Sequence, residues 1–287
     1  MRLDGGLAAL LALGLAVSNE AARANPAGFQ PGEGFTFTLA VGPVPAGKAR
    51  LSVGWPTRVD GRHLAVVHGE AHSADWMRFI ARLDDDYKVV FDADALTPKT
   101  VASHETGIRE RSVETVFDGA RFTIDFRAAK GGQHQNRVLT DVPRDPMTAL
   151  FWLRGARLRD GDVLRGLVLD GPAVYRSTTR VIGRERLIRD QGPVDAIRLA
   201  IEAVRIDDRG RSVAQAPRHI TLWLSDDDRR LPWRISGDTD LGTAEVVLTS
   251  YRGPSASPPT EKRTDAKPAE APRSLLRAPR RPARHAF

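Results

Sequence analysis

Few residues in this chain are placed to do chemistry. His68-Gly69-Glu70-Ala71-His72 gathers two imidazoles and a carboxylate within five positions. Two histidines four apart suit zinc when a helix turns them to one side and a third ligand arrives from elsewhere. Gly69 and the strand-like run before it oppose a helix, and the order differs from the H-E-x-x-H of metalloproteases. The cluster therefore reads as a solvated loop, with no metal assigned. Acidic clusters stand at Asp84–Asp86, at Asp226–Asp228 and at Asp238 with Asp240. Calcium needs six to eight oxygens and a distal bidentate acid, but the twelfth position counted from Asp238 is Thr249, and Arg229 and Arg230 neutralise the middle cluster. All three read as turn and cap chemistry.

Nucleophile signatures are missing. The chain has no cysteine, which excludes disulfides, thiolate metal centres, a thiol nucleophile and a lipid-anchoring cysteine. It also lacks G-x-S-x-G and a helix-opening S-x-x-K. Carboxylate pairs such as Glu105 with Glu110, or Glu185 with Asp195, would serve a hydrolase only if they faced each other across a cleft. No catalytic residue and no cofactor is assigned. The binding candidates are aromatic: Trp223, Trp233 and Trp152, of the five tryptophans, have the type to line a sugar or lipid groove. Trp223 has the opposite parity to Ile220, Leu222 and Leu224 and so points to the other side of its strand, whereas Trp233 shares parity with Leu231 and Ile235.

The elements that must position these residues are mostly strands. His219–Arg252 alternates through Ile220, Leu222 and Leu224, breaks at Ser225–Arg230, resumes at Leu231, Trp233 and Ile235, turns at Gly237–Gly242 and continues to Leu248. Period-two alternation between Asp/Gly clusters is the signal of an antiparallel meander. The same pattern recurs at Phe35–Leu39, Ala49–Val53, Leu64–Val67, Tyr87–Phe91, Thr97–His104, Ser112–Phe117, Arg121–Phe126, Val163–Leu169, Ala173–Ile182 and Ala196–Ile206. Pro43 and Pro45 argue against a two-residue hairpin after Val41. Ala129–Asn136 reads as a polar loop, and Ala156–Leu158 as a short strand paired with Val163–Leu169 through Arg159–Asp162. One or two helices are expected: Ser73–Leu83, capped by Ser73 with Trp76, Phe79, Ile80 and Leu83 on one side, although its second half also fits a strand, and the apolar run Met147–Arg154.

Both ends look different from the middle. Arg2, the apolar run Leu7–Val17 and Ala22-Arg23-Ala24 form a secretory signal over residues 1–24, so export to the periplasm is expected. Residues 25–252 form the β domain, and the Pro/Ala/Arg-rich stretch 253–287 cannot bury enough surface to order itself. Pro254–Phe287 carries eight Lys/Arg against three acids, five of the chain's net +7. The high pI is thus a property of the tail, which suits contact with an anionic membrane or cell-wall surface. It does not indicate nucleic acid.

Several phrases in order resemble the exported bacterial proteins of domain-of-unknown-function family 3108. They include Gly32-Glu33-Gly34-Phe35-Thr36-Phe37, Leu96-Thr97-Pro98, Asp141-Val142-Pro143 with Asp145-Pro146, Leu158-Arg159-Asp160-Gly161-Asp162, Gly192-Pro193-Val194-Asp195-Ala196 and Leu222–Asp227. The resemblance implies a mostly antiparallel β fold behind a signal peptide and no established activity. The expectation is an all-β chain with a curved antiparallel sheet, open barrel or sandwich and one or two short helices. It would be a non-enzymatic envelope protein binding a lipid-like ligand or an envelope glycan. A carboxylate-pair hydrolase and a structural envelope protein are the alternatives.

Overall fold

Alternating apolar residues commit most of the described chain to strands. In the computed structural model, residues 28–75, 83–107, 110–128, 131–189, 192–239 and 242–255 are described. The first half contains β1 (Gly34–Val41), β2 (Val44–Val53), β3 (Thr57–Val59), β4 (Arg62–Ser73), β5 (Leu83–Asp92), β6 (Thr97–Gly107), β7 (Arg111–Asp118), β8 (Arg121–Ala128) and β9 (Gly131–Val138). The helix α1 (Pro146–Gly155) follows. Then come β10 (Val163–Asp170), β11 (Ala173–Leu187), β12 (Val194–Ile206), β13 (Arg218–Ser225), β14 (Pro232–Thr239) and β15 (Gly242–Arg252).

These strands make one antiparallel sheet in the order β10-β11-β12-β13-β14-β15-β1-β2-β4-β5-β6-β7-β8-β9, with β3 bonded to β4 beside that path. Nearly every pairing joins neighbours in sequence, so little loop-closure entropy is spent. The long-range exception is β1 with β15, which splices the two halves along eight residue pairs from Gly34↔Arg252 to Val41↔Ala244. The path ends at β9 and β10, which do not pair with each other, so the sheet curves without closing into a barrel. Both ends still feed one core. Phe117 and Phe122 from β7 and β8 share a cluster with Leu167 and Leu169 from β10, together with the inward rows Phe35-Phe37-Leu39 of β1 and Ile197-Leu199-Ile201 of β12.

The structure departs from the sequence reading at several places. The loop expected at Ala129–Asn136 is largely β9, held by a full ladder to β8 from Arg121↔Val138 to Ala128↔Gly131. It lacks an apolar alternation because it is an edge strand on which only Arg137 is buried. The turn after Val41 is a two-residue one, since Val41 pairs directly with Val44. Gly42, at φ 56°, supplies the positive φ that primed hairpin turns require, and Pro45 falls next to a register shift where a missing N–H is tolerated. Ala156–Leu158 is not a strand: Ala156 caps the C-terminus of α1, and the Arg159–Asp162 turn leads from the helix into β10. The helix expected at Ser73–Leu83 falls on residues 76–82, outside the described residues, with Ser73 ending β4 and Leu83 opening β5.

Candidate binding site on the inner face of the sheet

The inner face is occupied by α1. Pro146 at its first turn has no N–H to lose there, and Asp145 caps it: the carboxylate accepts from the Met147 amide at 2.8 Å and from the Thr148 hydroxyl at 2.5 Å. Every residue from Pro146 to Arg154 is buried, which marks a helix enclosed on all sides rather than an amphipathic one lying on a surface. Phe151 meets Phe29 and Phe91 with ring centroids 5.8 and 5.7 Å away, and Phe29 meets Phe91 edge-on at 5.1 Å. Gly28 is required beside this helix, because a Cβ there would lie 2.3 Å from the Phe151 carbonyl oxygen.

Polar contacts hold both ends of α1. At its C-terminal end Arg154 is fully buried and forms a two-pronged pair with Glu33, at 2.7 and 3.0 Å. The same guanidinium donates to the carbonyls of Arg229 at 2.9 Å and Arg230 at 3.1 Å in the β13–β14 turn. Glu33 also accepts from the Tyr251 hydroxyl at 2.9 Å and the Gln30 amide at 2.9 Å. Burial, together with the bond to Glu33, pushes the Tyr251 hydroxyl up to about 12. At the N-terminal end, burial pushes the Asp145 carboxyl up to about 6 against the capping bonds that pull it down. Tyr87 of β5, hydrogen-bonded to Asp145, is raised well above its ordinary value, by burial first and then by Asp145 and Asp170.

The seam between β9 and β10 is closed by side chains and one short backbone bridge. Arg144 pairs in parallel with Val168 of β10: its amide donates to the Leu167 carbonyl at 3.0 Å and its carbonyl accepts from the Leu169 amide at 2.8 Å. Arg137 of β9 reaches across to the Pro172 carbonyl at 3.3 Å and to Asp208 at 2.6 Å. A polar strip relates the end of β10 to β6, β7 and β13, the Asp170 carboxyl feeling Arg218, Arg111 and Glu105. Asp170 faces Arg218 at 3.4 Å and Glu105 faces Arg111 at 2.5 Å. Burial raises the Asp170 carboxyl, while Arg218 and Arg111 oppose the shift. Arg144, lowered to about 10 by burial, stacks over Trp152 at 5.1 Å. The carboxylates Glu33, Glu105 and Asp170 thus each meet an arginine, and Asp145 meets a helix N-terminus.

The structure does not bring the three aromatic candidates together on one surface. Trp152 is buried in α1. Trp233 is half-buried against the core with the Arg189 guanidinium 3.9 Å from its ring. Its parity does not carry through the strand, because a register shift pairs Trp223 with Arg234 and Leu224 with Pro232, leaving Trp233 as the extra residue. Trp223 alternates with the core residues Leu222 and Leu224 and lies outside their cluster. It is nevertheless only 8% exposed. Arg198 and Arg234, its cross-strand neighbours, flank the ring at 5.9 and 5.1 Å, and its indole N–H donates to Glu185. With Glu185 beside Arg198 and Glu245 bonded to Arg234, this is a charged ladder across β11 to β15 that covers the tryptophan. A second concavity, a groove of about 380 Å³, lies over β11 to β14 and is lined by Thr178, Arg180, Glu202, His219, Ser236 and Asp238 among others.

Comparison with known proteins adds a family and several folds. The family described as a protein of unknown function, DUF3108, matches residues 36–249. No curated protein matches. Among solved structures, the chain is similar to a β-barrel-like protein of unknown function, DUF1849, from Brucella abortus, at 10% identity and a TM-score of 0.47 over 77% of this chain and 97% of that one. It is also similar to the hypothetical lipoprotein YmcC from Escherichia coli, at 10% identity and a TM-score of 0.30 over 80% and 90%. The hypothetical protein CT021 from Chlamydia trachomatis is matched at 13% identity and a TM-score of 0.32 over 79% and 90%.

Proposed function

The chain belongs to the DUF3108 family, and from that premise we propose that it is a non-enzymatic cell-envelope protein that binds an apolar or amphipathic, lipid-like ligand on the inner face of its sheet, in exchange for α1. One observation carries the reading: the apolar inner face is filled by a separate helix, next to a seam held by side chains and one short bridge instead of a strand ladder. A ligand taking the place of α1 meets the polar groups Arg111, Arg218, Asp170 and Asp145 near one end of the helix site and the phenylalanine-rich core beside it. That order of surfaces suits a molecule with a polar head and an apolar body. Trp152 travels with the helix in this exchange and Trp233 stays against the core, while Trp223 belongs to the outer ladder.

The magnitudes set the size of the ligand. Met147, Leu150, Phe151, Trp152 and Leu153 are the large buried side chains of α1. At roughly 1.5–3 kcal/mol each, their exposure costs about 8–15 kcal/mol. Breaking the buried Arg154–Glu33 pair adds about 3–5 kcal/mol, and burying an acyl chain returns about 0.8 kcal/mol per methylene, so a chain of roughly fourteen to twenty-five carbons is needed. A small metabolite cannot displace the helix on these terms. The signal-like sequence of residues 1–24 fits delivery to the envelope, where such chains are abundant.

The test is native mass spectrometry of protein purified from the exported fraction without detergent, followed by titration of delipidated protein with a lysophospholipid. One lipid-sized mass per chain is expected. Delipidated protein that takes up no lysophospholipid at any concentration below micelle formation contradicts the proposal.

A further inference from the structure

A separate constellation stands on the outer face of β4 and β5. Residues at i, i+2 and i+4 of a strand share one face, so His68, Glu70 and His72 project together while Val67 and Ala71 between and beside them are buried in the core. The stretch is strand, not the loop expected from its Gly69, and the side chains are therefore aligned. On β5, Asp86 stands directly across from Glu70, and Asp84 across from His72. Two carboxylates facing each other on adjacent strands repel unless a positive group sits between them. The His68 imidazole lies between them: its Nε2 is 2.5 Å from an Asp86 oxygen and its Nδ1 is 3.7 Å from a Glu70 oxygen, and a bound cation would offset the carboxylates. One donor atom from each of the three residues lies within 4.8 Å of the other two. His104 of β6 is the residue paired with Asp86 on its other side.

We propose that His68, Glu70 and Asp86 form a binding site for a zinc-like divalent transition metal, with His104 or water completing the coordination. A tetrahedral ion with ligand bonds of about 2.0–2.1 Å holds its donor atoms about 3.3 Å apart. The donors observed within 4.8 Å of one another are close to that spacing. The donor set selects the metal. Calcium and magnesium require six or more oxygens; here two carboxylates are accompanied by an imidazole, and Arg50 opposite Glu70 and Lys88 opposite His68 offset part of their charge. Affinity must then come from the nitrogen donor, which favours zinc, cobalt, nickel or copper over the hard cations. The position is half-exposed, so the ion has a route from solvent and keeps an open site.

Isothermal titration of the metal-free full-length chain with zinc chloride reads the site directly. One saturable equivalent is expected, and calcium chloride should give no binding. His68→Ala should weaken zinc by more than about 100-fold, since even second-shell changes at metal sites cost 10–100-fold. The isosteric Glu70→Gln tests the same donor set if the histidine variant folds poorly, and should weaken zinc by more than about tenfold. His134→Ala, which removes an outer-face imidazole bonded to Asp125 at 2.7 Å and to the Asn136 amide at 3.4 Å, should leave affinity unchanged. Cobalt loading should give visible bands of tetrahedral intensity that His68→Ala abolishes. The absence of saturable zinc binding, or full zinc affinity in both His68→Ala and Glu70→Gln, overturns the site.

Discussion

Replacing Arg154 by methionine gives the helical plug a number. The native guanidinium is fully buried and satisfies Glu33 and two carbonyls of the β13–β14 turn. Methionine keeps much of the side-chain volume but leaves Glu33 as a buried charge whose remaining partners are the Tyr251 hydroxyl and the Gln30 amide. Breaking a buried pair from one side costs about 3–5 kcal/mol. In a domain of roughly 150–250 residues each kcal/mol lowers the midpoint by about 2–4 °C, so the expected drop is roughly 6–20 °C. Urea unfolding gives the free energy through the midpoint and slope. Adding Glu33→Gln to Arg154→Met removes the stranded charge and should recover part of the loss, with a coupling energy above about 1 kcal/mol in the double-mutant cycle. A loss under about 1 kcal/mol for Arg154→Met, or strict additivity, refutes the reasoning that this pair anchors α1.

Three further outcomes follow from neighbouring contacts. Asp145 has a folded pKa of about 6 against an ordinary 3.8, so the native state holds its proton more tightly than the unfolded chain. Its stabilising contribution is full below about pH 4 and is lost as pH rises through 6, by about 3 kcal/mol. Asp145→Asn keeps a capping oxygen and should flatten urea midpoints between pH 4 and 7; a wild-type slope in that variant would count against the assignment. Gly28→Ala must push on the Phe151 carbonyl, costing about 1–3 kcal/mol, and should speed lysophospholipid uptake in stopped-flow measurements. Trp223→Phe loses the indole bond to Glu185 and should cost about 1 kcal/mol in urea unfolding without altering uptake, since its partners are on the outer ladder.

What was legible in the sequence was what repeats. Period-two rows such as Phe35-Phe37-Leu39 and Ile197-Leu199-Ile201 announce strands because one side is buried, and Met147–Arg154 announces a helix because apolar residues crowd it without alternating. β9 was invisible for the complementary reason: an edge strand is made by its ladder to β8, not by burial, and Gly131-Gly132-Gln133-His134 carries no apolar signal. Trp233 was misplaced in parity because a bulge adds one residue to β14, an event no periodicity records. Arg154 was missed as an anchor. An arginine inside an all-apolar helix is itself a sign of a buried partner, but Glu33 lies 121 positions away, and nothing in one sequence names it. For His68 and Glu70 the signal was present in their spacing of two, once the segment is taken as strand.

The proposed exchange of ligand for helix can be measured by locking the helix. The chain has no cysteine, so one cysteine on α1 and one on a strand facing it, placed where the two Cβ atoms lie about 3.5–4.5 Å apart, carry one possible disulfide between helix and sheet. Lysophospholipid uptake by native mass spectrometry should be absent in the oxidised form and return on reduction. Equal uptake by the oxidised and reduced forms would place the ligand somewhere other than beneath α1 and contradict the account.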